Sequence, residues 1–364
     1  MSIIIFLAIL LVLVVSHEFG HFIVAKAFGI RVDEFAFGFP PKIFGKKFGE
    51  TEYNLNLLPL GGYVKIFGES PDAESIAGPD SHRSFVNKPL YVQALVLLAG
   101  VTMNFLVAWA LISFGFISGL PTSVSEAPKG AVITSQYLTV VSVLPASPAL
   151  TAGLKVGDKI LKLDTKSDST ETPSTDSVRY FVRRHGGESI HVTYLRGPEK
   201  GETKVIPTTT SSDGIPSIGI TMDIIGTLKL PFYKAIWEGF KLSWDLVVAT
   251  ASGFYTLIHD ALIGHGNIAI ITGPVGIVGV VGDAAKFGFI YILSFTALIS
   301  INLAVINLVP FPALDGGRLF FLLVEKIKGS RIKPEIANMV NMIGFGILML
   351  LMVIITYHDI VKLL

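Results

Sequence analysis

The feature that most constrains this chain is a set of four apolar stretches that are long enough, or nearly long enough, to cross a lipid bilayer. They cover residues 2–15, about 92–117, about 289–309 and about 343–356. A spanning helix needs about 20 apolar residues, and the first and fourth stretches reach that length only with their polar flanks. The pattern predicts a polytopic α-helical membrane protein with about four transmembrane helices.

The composition agrees with a membrane protein and excludes several kinds of site. Of the 364 residues, 51% are hydrophobic and 16% are charged, a share of charge that soluble proteins of this length rarely show. The formal net charge of +1 argues against a nucleic-acid partner, which requires a concentrated basic surface. The chain has no cysteine, so any metal site must use His, Asp or Glu.

The first apolar stretch could be taken for a signal peptide. It lacks a basic beginning and a small-residue cleavage site, and it runs directly into polar residues that start at Ser16. We therefore interpret it as a retained span.

Basic residues predict the orientation of the spans. The segment after the first span contains eight Lys and Arg residues, and the segment after the third contains five. Basic loops remain on the cytoplasmic side, so both termini and the region between the second and third spans are expected outside. The sequence thus predicts a multi-pass protein of the inner (cytoplasmic) membrane.

The chain divides into four predicted parts. Residues 1–121 contain the first two spans and a cytoplasmic β region, whereas 122–225 show the alternating strands and turns of an extracytoplasmic domain. Residues 226–288 include a helix at about 231–262 with distinct apolar and charged sides. We interpret it as amphipathic and interfacial, with a fifth span as the alternative. Residues 289–364 contain the last two spans.

A metal-binding pattern lies at the end of the first span, His17-Glu18-Phe19-Gly20-His21. Positions i and i+4 share one helix face, so both imidazoles can bind one Zn²⁺ while Glu18 accepts a proton from its water. At 1.5 Å per residue, His17 lies about 25 Å along the helix, near the cytoplasmic side. The alternative is a polar helix end, but ionisable groups in a span are costly unless they bind something.

Catalytic zinc usually has a third protein ligand, and the candidate is Asp315. It lies in the segment 307–317, Asn-Leu-Val-Pro-Phe-Pro-Ala-Leu-Asp-Gly-Gly, where two prolines interrupt an apolar span. Irregular backbone at membrane depth is tolerated where it lines a cavity. Asp315 could instead only cap a helix that begins near Gly316, but the HExxH motif favours the ligand.

With these motifs, the sequence resembles the site-2 protease family of intramembrane zinc metalloproteases, in particular the bacterial regulator of sigma-E protease branch. Residues 100–105 (Gly-Val-Thr-Met-Asn-Phe) and 272–277 (Thr-Gly-Pro-Val-Gly-Ile) also match that family. The resemblance implies regulated intramembrane proteolysis of single-span membrane proteins, such as anti-sigma factors, or of remnant signal peptides.

The resemblance also implies roles for individual residues. His17, His21 and Asp315 would bind one Zn²⁺ per chain, Glu18 would be the general base, and Asn307 would hold the substrate backbone or the developing oxyanion. The expected partners are a transmembrane protein or peptide substrate and the lipid bilayer.

Residues 147–160 resemble the core of a PDZ domain, an α+β fold inserted between the second and third spans. In this segment Leu154, Val156 and Ile160 are expected to pack. By the same resemblance, Ile218, Gly219 and Ile220 would form the loop that captures a peptide carboxylate. A groove that only filters substrates by size is the alternative. Well-known members of the branch have two tandem PDZ domains, whereas only one is recognisable in this sequence.

Residues 51–66 alternate as a strand, pass through Pro-Leu-Gly-Gly and alternate again, which predicts a β-hairpin. It resembles the membrane-associated sheet of the family. Asn54, Gly61 and Gly62 are candidates for contacting a substrate that has unwound to pair with an edge strand. The alternative is a hairpin with no role in substrate binding.

Two functions from other classes compete with the protease. One is a non-catalytic membrane scaffold that bears a PDZ domain, and the other is a metal transporter. Retention of Glu18 favours the protease, because a scaffold needs neither a metal nor a base. A single metal cavity likewise offers no relay of sites across a bilayer.

Overall fold

The computed structural model describes residues 1–128, 131–171, 173–209, 214–264 and 272–363. In these ranges the helices are α1 Ser2–Ala27, α2 Ala73–Ala77, α3 Leu90–Ser118, α4 Pro148–Thr151, α5 Thr175–Arg184, α6 Phe232–Leu262, α7 Pro274–Phe287, α8 Phe289–Leu308, α9 Asp315–Lys328 and α10 Pro334–Leu363. The strands are β1 Val32–Phe48, β2 Thr51–Ile66, β3 Leu120–Ser123, β4 Val132–Val143, β5 Lys159–Asp164, β6 Ser169–Thr170, β7 Ile190–Arg196, β8 Glu199–Val205 and β9 Ile220–Lys229.

Within the ranges that the structure describes, four helices are long and apolar enough to cross a membrane, namely α1, α3, α8 and α10. This agrees with the four predicted spans. The first and fourth helices are longer than their apolar stretches, because the helical backbone continues through polar residues such as those of the HExxH motif.

Helix α6 corresponds to the predicted amphipathic helix, and it packs against two candidate spans. Phe240 contacts Phe105 and Trp109 of α3 edge to face. Thr250 Oγ1 donates a hydrogen bond of 3.2 Å to Asn302 Oδ1 of α8. The interfacial position of α6 stays a prediction.

The chain forms two compact units, of which the first comprises residues 1–112, 239–283 and 295–364. It contains a sheet made by two long, bent strands, β1 and β2. In the register, Phe35 is paired with both Val64 and Tyr53. The segments therefore lie in the order 62–66, 32–37, 52–55 and 42–48.

This order corrects the predicted hairpin within 51–66. The two halves of that segment do form strand, but 32–37 lies between them, so they do not pair with each other. The tight connection lies instead at Gly49, whose φ of +63° suits glycine. Alternation correctly indicated strands but could not identify their partners, because pairing across 32–37 depends on contacts distant in sequence.

The second unit comprises residues 113–238 and 284–294. It contains an antiparallel sheet in the order β3-β9-β4-β5-β7-β8, with β6 paired to β5. Helix α5 begins with a capping box between Ser174 and Ser177 and turns Val178, Phe181 and Val182 towards the core. Its sheet and helices agree with the α+β fold that the sequence predicts, whereas the domain bounds of 122–225 stay a prediction.

Two of the three expected packing residues of this domain are buried. Leu154 is fully buried and Ile160 is 3% exposed, but Val156 is 55% exposed. The prediction for Val156 was wrong because this residue lies in the turn before β5, where its side chain points to solvent.

A buried ion pair supports the same turn. Asp158 is fully buried and accepts hydrogen bonds of 2.7 Å from both Nε and Nη2 of Arg196. It also accepts 2.8 Å from the backbone N–H of Lys155. The carboxylate thus joins the 155–158 turn to β7.

We expect Asp158→Ala to destabilise the second unit by about 3 kcal/mol, because it leaves a partly buried guanidinium without its carboxylate. Hydrogen exchange at the amides of β5 and β7 should quicken. Asp176→Ala is the control, since Asp176 is 96% exposed and lies 4.0 Å from Arg179. Equal exchange in the two variants would contradict this role for the ion pair.

Candidate metal centre

Helix α1 places two histidines on one face near its C-terminal end. His17 Nε2 and His21 Nε2 lie 3.1 Å apart, and the rings meet edge to face. The two residues are 8% and 6% exposed. Two buried ring nitrogens this close are stable when they share a proton or a metal ion.

Asp315 completes the cluster from the first position of α9. Its Oδ2 lies 3.0 Å from His17 Nε2 and 3.3 Å from His21 Nε2. Among the described residues, this buried oxygen has no hydrogen-bond partner of good geometry, and no other group of three His, Asp or Glu side chains could hold a metal. The structure therefore brings together all three residues that the sequence predicts as ligands.

The spacing of the three atoms fits Zn²⁺. Tetrahedral zinc with bonds of about 2.0–2.1 Å separates its ligand atoms by about 3.3 Å. The distances among His17 Nε2, His21 Nε2 and Asp315 Oδ2 are 3.0, 3.1 and 3.3 Å. An imidazole pair with one carboxylate is also a ligand set that zinc accepts.

The charge of Asp315 suits the same role. Burial by itself raises the pKa of this carboxyl, but the adjacent His17 and His21 outweigh burial and lower the pKa below its ordinary value. The group is thus ionised, as a ligand must be. The cap position of α9 is Leu314, so the alternative in which Asp315 only caps this helix is wrong.

The turn before α9 explains how Asp315 reaches the histidines. Helix α8 ends at Leu308, and prolines follow at positions 310 and 312. A Cβ on Gly316 would lie 2.3 Å from Val309 O, and one on Gly317 would lie 2.2 Å from Phe311 O. Only glycine permits α9 to fold back this closely onto the turn.

Helix α3 approaches the histidines equally closely. A Cβ on Gly100 would lie 2.3 Å from His21 Nε2, and one on Gly20 would lie 2.3 Å from Ala99 O. His21 Nδ1 donates a hydrogen bond of 2.8 Å to Val96 O. The sequence alone indicates no role for these α3 groups, although residues 100–105 match the family.

Glu18 is anchored on the sheet. Its Oε2 accepts a hydrogen bond of 3.0 Å from the backbone N–H of Val64. Val64 is paired with Phe35 in the register. The carboxylate thus lies beside His17 in sequence and contacts the 62–66 segment.

Comparison with known proteins identifies the family. The sequence profile of peptidase family M50 matches residues 5–351. The chain belongs to peptidase family M50. This confirms the resemblance to the site-2 proteases.

Relatives of the M50 chain cover nearly its whole length. A Clostridium perfringens protein, named provisionally as a zinc metalloprotease, is 38% identical over 96% of this chain and 95% of its own. Zinc metalloprotease RasP of Oceanobacillus iheyensis is 30% identical, with 97% of each chain covered. RasP of Geobacillus kaustophilus is 28% identical, with 99% and 98% covered.

One solved structure, the PDZ domain of the SdrC-like protein of Listeria monocytogenes, matches 25% of this chain and 92% of its own. The identity is 24% and the TM-score is 0.22. A TM-score of this size does not establish a shared fold.

The family and its relatives show that the chain is a zinc metalloendopeptidase and a membrane protein, so the scaffold and transporter alternatives lose their support.

The remaining predicted residues of the M50 chain lie at several places in the first unit. A Cβ on Gly61 would lie 3.3 Å from Phe39 and 3.5 Å from Val14, and one on Gly62 would lie 2.6 Å from the backbone oxygen of Ala36, so both positions are closely packed. Asn54 is buried and donates a hydrogen bond of 3.3 Å to Glu34 Oε2. Asn307 is half-buried in the last turn of α8.

The predicted carboxylate loop borders a groove of about 390 Å³ in the second unit. Val178 and Val182 of α5 line one side, and Ile218, Gly219 and Ile220 line the other. Gly219 has a φ of +76°. The carbonyls of Ile218 and Gly219 accept hydrogen bonds from Ala149 N and Leu144 N. Capture of a carboxylate there stays a prediction.

We expect Gly316→Ala to weaken zinc binding by about 10-fold or more, because the new methyl group would push α9 away from the turn and displace Asp315. Competition with a chelator on the purified chain measures this. Gly346→Ala is the matched control, since a Cβ at Gly346 would meet no atom within 4 Å among the described residues. Similar zinc affinity in both variants would contradict this role for the turn.

Proposed function

We propose that this M50 metalloendopeptidase cleaves single-span membrane proteins within the bilayer. The substrates we propose are proteins such as anti-sigma factors, cut in regulated intramembrane proteolysis, or remnant signal peptides. The observation that supports this most directly is the meeting of His17, His21 and Asp315 at the end of the candidate span α1. A metal centre at that position is within reach of a peptide bond inside or beside the membrane.

His17, His21 and Asp315 are the proposed ligands of one Zn²⁺. Bound there, zinc would supply Lewis-acid chemistry that acidifies a water molecule and polarises the scissile carbonyl. Glu18 is the proposed general base, which accepts a proton from the attacking water and returns it to the leaving nitrogen. Asn307 is proposed to stabilise the substrate backbone or the oxyanion.

The sheet beside Glu18 supports a mode of substrate binding. Segment 62–66 pairs with 32–37 on one side, whereas the N–H of Val64 points away from that partner to Glu18. A transmembrane helix must unwind before its peptide bonds become accessible, and an edge segment can hold the extended form. Gly61, Gly62 and Asn54 are the proposed contacts with the substrate.

We also propose the orientation and the division into four parts. The two basic segments support a metal centre near the cytoplasmic side of the inner membrane. The PDZ-like domain at 122–225 would then be extracytoplasmic and act as a binding groove or as a size filter. Parts 1–121, 226–288 and 289–364 would form or border the membrane-embedded protease, with the bilayer as the other partner.

Glu18→Gln tests the chemistry. Cleavage of a panel of short single-span substrates, in detergent with zinc, should fall by about 10²–10⁴-fold while one zinc per chain remains bound. Glu74→Gln is the control, because it makes the same change at an exposed position of α2. Unchanged cleavage by a zinc-loaded Glu18→Gln variant would exclude Glu18 as the base.

Substrate size tests the proposed filter. The full chain should cleave a single-span substrate with a folded outer domain much more slowly than the same substrate after that domain is trimmed. Deletion of residues 122–225 should remove the difference while the trimmed substrate is still cleaved. A bulky substrate that the full chain cleaves as fast as the trimmed one would contradict a filter.

A further inference from the structure

One face of α3 contacts both histidines of the metal centre. Val96, Gly100 and Asn104 are spaced by four residues and so share a helix face. Val96 O accepts from His21 Nδ1, Gly100 makes room for both rings, and the Asn104 side chain reaches His17 Nδ1.

The partner of His21 determines which of its nitrogens carries a proton. A carbonyl oxygen such as Val96 O can only accept, so His21 Nδ1 must donate. In the neutral imidazole the other nitrogen, Nε2, then has a free lone pair. That nitrogen is the one directed at His17 and Asp315.

The hydrogen-bond partner of His17 conflicts with metal binding as its atoms are assigned. Asn104 Nδ2 lies 3.3 Å from His17 Nδ1. A donor at this position would require Nδ1 to accept and Nε2 to carry the proton, and a protonated Nε2 cannot bind a metal. Asn104 is completely buried, and its Oδ1 has no hydrogen-bond partner within the described ranges.

A half-turn of the Asn104 amide removes the conflict at His17. The oxygen and nitrogen of an amide are assigned from the hydrogen-bond network, not from their shape. After the exchange, Oδ1 accepts from His17 Nδ1, the unpartnered buried oxygen gains a donor, and His17 Nε2 is left with a free lone pair. Both histidines then present the same nitrogen to the metal.

We propose that Asn104 is a positioning residue of the metal centre, whose amide oxygen accepts from His17 Nδ1 and thereby sets the tautomer and ring plane needed for zinc. Val96 O does the same for His21. Ser300 Oγ of α8 donates a hydrogen bond of 2.8 Å to the backbone oxygen of Asn104. Asn104 is thus held by the helix that leads into the turn before Asp315. The inference rests on the zinc site of the proposed function.

The test is the zinc affinity of the full chain in detergent, measured by competition with a chelator at fixed pH. Asn104→Leu retains the size but removes the acceptor, and it should weaken zinc binding by about 10–100-fold, as loss of a partner to a ligating histidine does. Asn104→Asp retains an oxygen acceptor and should bind zinc within a few-fold of the wild type. This rescue separates positioning from packing, because both variants alter the helix contact.

Ser113→Ala is the matched control, since Ser113 lies on the same helix and its buried hydroxyl has no partner in the part of the chain that the structure describes. Its zinc affinity should equal that of the wild type. If Asn104→Leu does not fold, Asn104→Ala replaces it, with the same weak binding expected relative to Asn104→Asp.

The outcomes distinguish this inference from the proposed function. Wild type that binds no zinc would overturn the metal site itself. Wild type that binds one zinc, together with Asn104→Leu of unchanged affinity, would overturn the positioning role alone. Asn104→Asp as weak as Asn104→Leu would likewise show that Asn104 acts only through packing.

Discussion

The structure of the first unit depends on the cost of placing ionisable groups at the end of an apolar helix. His17, Glu18 and His21 follow a run of aliphatic residues in α1, where polar groups need partners. The partners come from three different elements. Asp315 arrives from α9, Val64 from the sheet, and Val96 and Asn104 from α3. The metal centre can therefore form only when these elements pack against α1.

Glycines make this packing possible, because they permit backbones to approach closely. Gly20 and Gly100 permit α1 and α3 to meet at the histidines, and Gly316 and Gly317 permit α9 to fold back on the prolines. Small residues commonly allow close helix contact in membranes, where the hydrophobic effect does not drive helices together. The same residues place Asp315 within 3.3 Å of both imidazoles.

Sequence reasoning predicted local features well and pairings poorly. The four candidate spans follow from apolar length, the two histidines from i, i+4 spacing, and Asp315 from the prolines that interrupt the third apolar stretch. The predicted hairpin at 51–66 was wrong because 32–37 inserts between its halves. Val156 was assigned to the core because it is apolar, but its position in a turn exposes it. Both errors concern contacts that hydrophobic pattern alone does not specify.

By itself, the sequence determined the membrane class, the metal chemistry and the residues able to provide it, because these depend on composition, on the spacing of the histidines along one helix and on the prolines before Asp315. The tertiary structure decided which distant groups meet. It brought Asp315 to the histidines, directed the amide of Val64 to Glu18, and placed Asn104 against His17. Such contacts join residues up to about 300 positions apart, and they are set by helix packing and backbone turns that leave no periodic signal in the sequence.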